Sequence, residues 1–455
     1  MVKHDWLWWR QHDVAVEKEQ MGDEGRDPAA LAAEFAALEK MDDNTQAFQD
    51  AFNTLMDRVQ AQPSVTECDE PSHLAGIQVA RPNRPRQVVD PGRDLEDRLH
   101  GAWLGRCAGC LLGKPIENWS TWRTWKLWGI LRDGGKEMLT DYIWRMDIDE
   151  AIFAKHDGVY SLPMYKGINY MPEDDDLNYT VTGLALVKQK GLGFTPDDVA
   201  TFWLQNIPIL HTYTAERAAY RNFVSGIWPA ASASFRNPYR EWIGAQIRAD
   251  FFGYVAPGNP ALAAELAWRD AFISHVRNGI YGEMWVAAML AAAAVETNVV
   301  KIMEAGLGEI PARCRLAEDI RQVMRWHADG VSYKNAVAKI HQRWDETKFH
   351  HWCHTNSNAQ IVALGLLYGE GDYEKTITHA VYPVLDTDCN GATAGSVIGM
   401  ALGAKALPAK WTDVLNDTLL TGVDGYHRVS ISSLAQETLA LAVRSPANPG
   451  KGEQA

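Results

Sequence analysis

The residues best suited to chemistry are Asp386-Thr387-Asp388-Cys389-Asn390, two carboxylates two positions apart that open a helix. A second acidic run, Glu173-Asp174-Asp175-Asp176, also opens an apolar stretch. One or two acids at a helix start can be capping groups that the helix dipole favours. Four in succession repel, and a bound cation is the natural relief. Oxygen-only ligands suit hard cations: Mg²⁺ first, with Mn²⁺ or Ca²⁺ as alternatives. Two such ions sharing carboxylates could orient substrate hydroxyls and a water. The metal-free alternative is a glycosidase-type pair, one carboxyl protonating the leaving group and another activating water.

Both clusters need a rigid support, and glycine periodicity supplies one. Gly391, Gly395, Gly399 and Gly403 follow the first pair, while Gly101, Gly105, Gly109 and Gly113 repeat the spacing upstream. A glycine inside a helix costs about 1 kcal/mol relative to alanine, so such a stripe implies a partner too close for side chains. The two stripes are expected to pack on each other, crossing at a clear angle because a four-residue ridge favours that class. This would carry Lys114-Pro115-Ile116-Glu117 towards Asp386 and Asp388. Packing with no chemistry attached remains the alternative reading of the stripes.

Length and composition set the frame. The chain has 455 residues and a net charge of -14, which argues against nucleic acid as a standing partner. No apolar run of signal-peptide type or of membrane-spanning length is seen, so a cytoplasmic, non-membrane protein is expected. Six scattered cysteines (68, 107, 110, 314, 353, 389) suggest reduced thiols, and Cys107 and Cys110 read as small packing residues. The oligomeric state is left open.

In chain order, Trp6, Trp8 and Trp9 are expected to dock on the main body. Helices follow from Asp27-Pro28 through Leu38 and from Thr45 to Val59. Prolines at 63, 71, 82, 85 and 91 then mark a linker. Trp119, Trp122, Trp125 and Trp128 read as core packing rather than a sugar platform. His350, His351 and His354 do not match a familiar zinc spacing and read as substrate-contacting or ordinary loop residues. The loop Asn278-Gly279-Ile280-Tyr281-Gly282-Glu283 suits either a polar ligand or a tight turn. No strand alternation appears, so the fold class is all-α. The expected organisation is a helical extension with linker at 1–92, a catalytic domain at 93–444 and a disordered tail at 445–455.

Taken together, Gly-x-x-x-Gly-x-x-x-Gly-x-x-x-Gly-Lys-Pro-Ile-Glu at 101–117, the acids at 173–176, Ser274-His275 and Asp386-Thr387-Asp388-Cys389-Asn390 resemble the ADP-ribosylglycohydrolase family. The resemblance implies a compact all-α fold, a dinuclear Mg²⁺ centre and hydrolysis of a bond to the anomeric carbon of an ADP-ribose. It assigns metal ligation to Asp174, Asp175, Asp386 and Asp388. Read one residue on, Asp175 and Asp176 form the pair, so Asp176 is also a candidate ligand. Glu117 takes the place of a glutamate proposed to control water or proton transfer, making Glu117, Asp175 and Asp388 the candidate catalytic residues. His275, Asn278, Gly279, Tyr281 and Gly282 fall where the family contacts substrate. Glu173, Asp176 and Cys389 stand where the family has threonine. The implied substrates are an ADP-ribosylated protein or a small-molecule glycoside; a nucleoside hydrolase and a non-catalytic ligand-binding relative are the alternatives.

Overall fold

The computed structural model describes residues 6–66, 69–118, 122–156 and 165–442; Cys68, Trp119 and the expected tail at 445–455 lie outside them. Regular structure in the described residues is helical apart from one small hairpin, β1 (Leu419–Leu420) and β2 (Arg428–Val429), so the all-α expectation holds.

The molecule is organised on two glycine-striped helices, labelled here in chain order with the others used below: α1 (Gln11–Asp23), α2 (Gln46–Gln60), α3 (Leu95–Gly113), α4 (Asp175–Lys190), α5 (Thr214–Val224), α6 (Asn278–Ala293), α7 (Thr355–Tyr368) and α8 (Thr387–Leu402). Helices α3 and α8 are the striped pair. A Cβ added at Gly101, Gly105 or Gly109 would fall on the carbonyl oxygen of Gly399, Gly395 or Gly391 respectively, and one at Gly113 on the backbone of Thr387. The paired numbers run in opposite directions, so the helices are antiparallel. Contact this close persists over twelve residues, about 18 Å of helix. The contacts follow the row of residues four apart on both helices, the arrangement that the glycine spacing predicts. Gly403 lies at the end of the packed stripe, against Asp97 and beside Gly101. It follows α8 with φ +83° and closes the helix in the left-handed conformation glycine favours.

The N-terminal segment packs against this body. Trp9 is buried between Phe52 and the Arg221 guanidinium, which sits 4.5 Å from its ring centroid. Thr45 caps α2, whose buried face is Phe48, Phe52, Leu55, Met56 and Val59. Residues 28–38 form a 3₁₀ turn, Pro28–Leu31, and a short helix, Ala32–Leu38, capped by Asp27. Helix α1 was not anticipated, because several of its buried positions are polar: Asp13, Glu17 and Gln20. Asp13 accepts the Arg10 N–H and Gln20 donates to Glu241, while the Gln20 carbonyl oxygen has no hydrogen-bond partner. Arg240 of the body holds Glu17 at 2.9 Å and Glu24 at 2.5 Å. The expected linker contains the helix Leu74–Ala80 and is otherwise irregular; Glu70 grips Arg315 at 2.7 Å. Of the tryptophans at 119–128, Trp122 is buried, Trp128 stacks on Tyr382 and Trp125 is exposed.

Candidate active site

The antiparallel pair places the end of α3 beside the start of α8. The Thr387 hydroxyl donates to the Gly113 carbonyl at 3.0 Å, and the 3₁₀ turn Lys114–Ile116 then delivers Glu117. Immediately before α8, Val384 and Leu385 adopt φ +63° and +62°. Two consecutive left-handed residues, one β-branched, are a costly conformation that persists only where packing over-determines it. They turn the chain sharply into Asp386, whose N–H donates to the Asn358 Oδ1 of α7 at 3.2 Å. One oxygen each from Glu117, Asp386 and Asp388 lie within 4.8 Å of one another.

Helix α4 brings the other acids. Asp174 is its N-cap, accepting the Asp176 N–H at 2.9 Å, and the Lys114 ammonium lies 2.5 Å from its other oxygen. Asp174, Asp175 and Asp176 form a second group within 4.8 Å. Asp388 joins the two clusters, sharing such groups with Asp176 and Cys389 and with Asp174 and Cys110. The remote aspartates therefore converge, as the spacing of the motifs required.

Basic residues are unevenly distributed around them. Arg106, a fully buried side chain on α3, contacts Asp176 at 3.0 Å and Asp250 at 2.8 Å. Lys114 serves Asp174. In the described residues no ion pair reaches Asp386 or Asp388. Burial works against the charge of Asp174, but the Lys114 ammonium and the Asp176 N–H hold its carboxyl below the ordinary value. Burial and then the Asp174 charge push Asp388 up to about 6. Asp175 rises well above its usual range through burial, Asp174 and Asp388, and Asp386 through burial, Asp388 and Glu117. Glu117 is reached by solvent from the cleft mouth, yet desolvation by the surrounding walls, then Asp388, raises it strongly. These carboxyls cannot all ionise unaided.

The donor set fits a hard cation. Oδ2 of Asp176 and Oδ1 of Asp388 are buried oxygens without a hydrogen-bond partner, an arrangement that costs free energy unless something binds them. Asp175, Asp386 and Glu117 add further oxygens. Both Asp174 oxygens already have protein partners, and Asp176 gives one of its own to Arg106. The cysteines are closer to the acids than their packing role suggested. Cys389 lines the cleft, while Cys110 lies beside Asp174 and Asp388.

The acids form the floor of a 480 Å³ cleft whose other wall is aromatic: Tyr213, Trp242, Phe349 and Trp352. Glu216 of α5 also reaches it, paired with the buried Arg248 at 2.5 Å. None of these residues stood out in the sequence. Arg106 could have been found there, since an arginine inside a stripe of small residues must have a buried acid opposite.

The segment expected to contact substrate does not line this cleft. His275 is buried against Ser274, with Nδ1 2.8 Å from its hydroxyl. Asn278 bridges Glu241 and the Leu316 N–H. Tyr281 donates to the Pro71 carbonyl at 2.6 Å, and Arg277 N–H to the Ser72 hydroxyl at 3.1 Å. Gly279 backs onto the Arg240 carbonyl and His275, and Gly282 onto Thr355. Residues 70–72 thus cover this segment, and its polar groups tie the N-terminal region down. The histidines at 350–354 have a similar role. His350 Nδ1 accepts from the Trp242 indole, His351 Nδ1 from Asp345 N–H and His354 Nδ1 from Asn356 N–H. Each neutral ring must therefore carry its proton on Nε2, which faces Asp23 or Glu19 of α1. A metal at those nitrogens would require protons where the partners can only donate.

No curated protein matches the chain. A solved structure titled "ADP-ribosylglycohydrolase-related protein complex" superposes with a TM-score of 0.47 at 18% identity, covering 77% of this chain and 99% of that one. The family model described as ADP-ribosylglycohydrolase matches residues 91–447, starting beyond helices α1 and α2. With the glycine pair and converged acids inside that span, the chain belongs to the ADP-ribosylglycohydrolase family.

Proposed function

We propose that this protein is a Mg²⁺-dependent hydrolase of the glycosidic bond to ribose, acting on ADP-ribosylated proteins or small ADP-ribosyl compounds. The observation that carries the reading is the meeting of Glu117, Asp386 and Asp388 with Asp174 and Asp175 on one cleft floor, with the buried Asp176 directly behind them. Asp175, Asp386 and Asp388, with the unpartnered oxygen of Asp176, would hold the cation, and two ions are the expected stoichiometry. Bound there, Mg²⁺ would supply charge stabilisation and a more acidic water. Asp174 positions the start of α4 and keeps Lys114 at the floor. Glu117, whose carboxyl retains a proton well above the ordinary range, can pass that proton to the departing group. Release of a base from a nucleoside or another small glycoside is the second reading, favoured by the aromatic wall facing the acids.

The test is turnover of ADP-ribosyl substrates with Mg²⁺ and with EDTA, for the natural chain and for Asp175→Ala and Asp388→Ala. Activity should require the cation, and each variant should lose at least about 100-fold, the scale of removing a group that stabilises developing charge. Undiminished turnover in both variants rules the mechanism out.

A further inference from the structure

A second hollow of 410 Å³ adjoins the cleft, and the two share Tyr213, Thr214 and Phe349. The first is floored by carboxylates; the second has none among its described lining residues. Its walls are the rings of Trp6, Tyr213, Tyr239 and Phe349, with Arg10, His12 and Arg217 around them.

The cationic groups do not make this a phosphate site. Arg217 donates to the Trp6 carbonyl at 3.0 Å and lies 3.5 Å from Asp13. Arg10 lies 3.5 Å from Asp43, and His12 lies 3.3 Å from Asp13. Each of the two arginines thus faces a carboxylate within the protein, and what remains on offer is ring surface. Trp6 is fixed for this purpose: its indole N–H donates to the Thr212 carbonyl at 3.2 Å, and its ring meets Tyr213 edge-on at 5.7 Å. Tyr213 is 45% exposed, a large ring left uncovered where the two hollows meet. Beside it Thr214 is held at φ +37°, an unfavourable geometry for a β-branched residue. Outliers of this kind cluster where a ligand is gripped.

We propose that this hollow receives a flat, uncharged aromatic aglycone, attached to the sugar that lies over the acids. The inference rests on the hydrolase reading above in its second form, release of a base or another small aglycone, and specifies the class of group released. The shared wall of Tyr213 and Thr214 favours a ring directly bonded to the sugar over one at the end of a long charged linker. Three of the lining residues, Trp6, Arg10 and His12, precede the span matched by the family model, so the selectivity belongs to this chain's own extension.

The experiment compares binding of 4-nitrophenyl β-D-ribofuranoside and methyl β-D-ribofuranoside to the full-length protein in Mg²⁺, by calorimetry. The aryl glycoside should bind about tenfold more tightly, the scale of one ring stacking on aromatic side chains. Trp6→Ala and, independently on the body, Tyr213→Leu should each bring that ratio close to one, while Trp6→Phe preserves most of it. A ratio near one in the natural chain, or one that ignores both variants, overturns the proposal. A greater loss on Trp6→Ala for ADP-ribose than for the aryl glycoside also overturns it, assigning the hollow to a nucleotide. Turnover is read separately. An aryl preference that depends on Trp6 without Mg²⁺-dependent hydrolysis keeps the hollow and removes the hydrolase, and the converse does the reverse.

Discussion

The acids at 174–176 and those at 386–388 start from the same residue types at the same place, the first turn of a helix, and meet different surroundings. Asp174 and Asp176 are braced by Lys114 and Arg106, both anchored on or just after α3. Asp386 and Asp388 are held by neutral partners, Asn358 and the Gly113–Thr387 contact, and have no basic residue of their own in the described structure. The first cluster is braced at Asp174 and at one oxygen of Asp176, leaving Asp175 and the other Asp176 oxygen to spare; the second has no such brace. Similar acidic motifs can therefore differ in what they need from a ligand, and the difference lies in side chains far away in sequence.

The sharpest way to break this contrast is Arg106→Met. It leaves Asp176 and Asp250 buried without their guanidinium and should cost about 3–5 kcal/mol in urea unfolding, since removing one partner of a buried pair strands the other. Lys114→Met should cost less, about 1–3 kcal/mol, because Lys114 is partly exposed and only Asp174 loses a partner. Added Mg²⁺ should recover part of that loss, whereas it should not rescue Arg106→Met. The smallest effect concerns pH. The Asp388 carboxyl lies above its ordinary value, at about 6, so its contribution to stability without metal is present in acid and lost as pH rises from about 4 through 6. Mg²⁺ competes with that proton, so its affinity should weaken by about tenfold for each unit below 6 per proton displaced. Asp388→Asn should flatten this dependence in calorimetric titrations, and an unchanged profile would reassign the titrating group.

The features legible in the sequence were those written as local repetition. Glycine every fourth residue announced the α3–α8 contact, and adjacent acids at two helix starts announced a shared site. The helix at Gln11–Asp23 was hidden because buried polar positions such as Glu17 look like surface until Arg240 is placed beside them. The segment His275 to Gly282 was assigned to substrate because its residues can serve either a ligand or an internal network. In the structure Pro71 and Ser72 lie over it and it does not line the cleft. The aromatic wall could not be assembled in advance, since Tyr213, Trp242, Phe349 and Trp352 share no spacing.

The clasp between His350 and Asp23 joins residues 327 positions apart. During synthesis the acids of α1 meet Arg217 and Arg240 once about half of the chain has emerged, but Asp23 must wait for His350. Closure of the cleft's aromatic side is thus among the last events of folding, and long-range contacts of this kind are slow to form. A chain cut short before residue 350 would contain the first acid motif with its Arg106 and Lys114 braces, yet lack both the second acid motif and the clasp that fastens its own beginning.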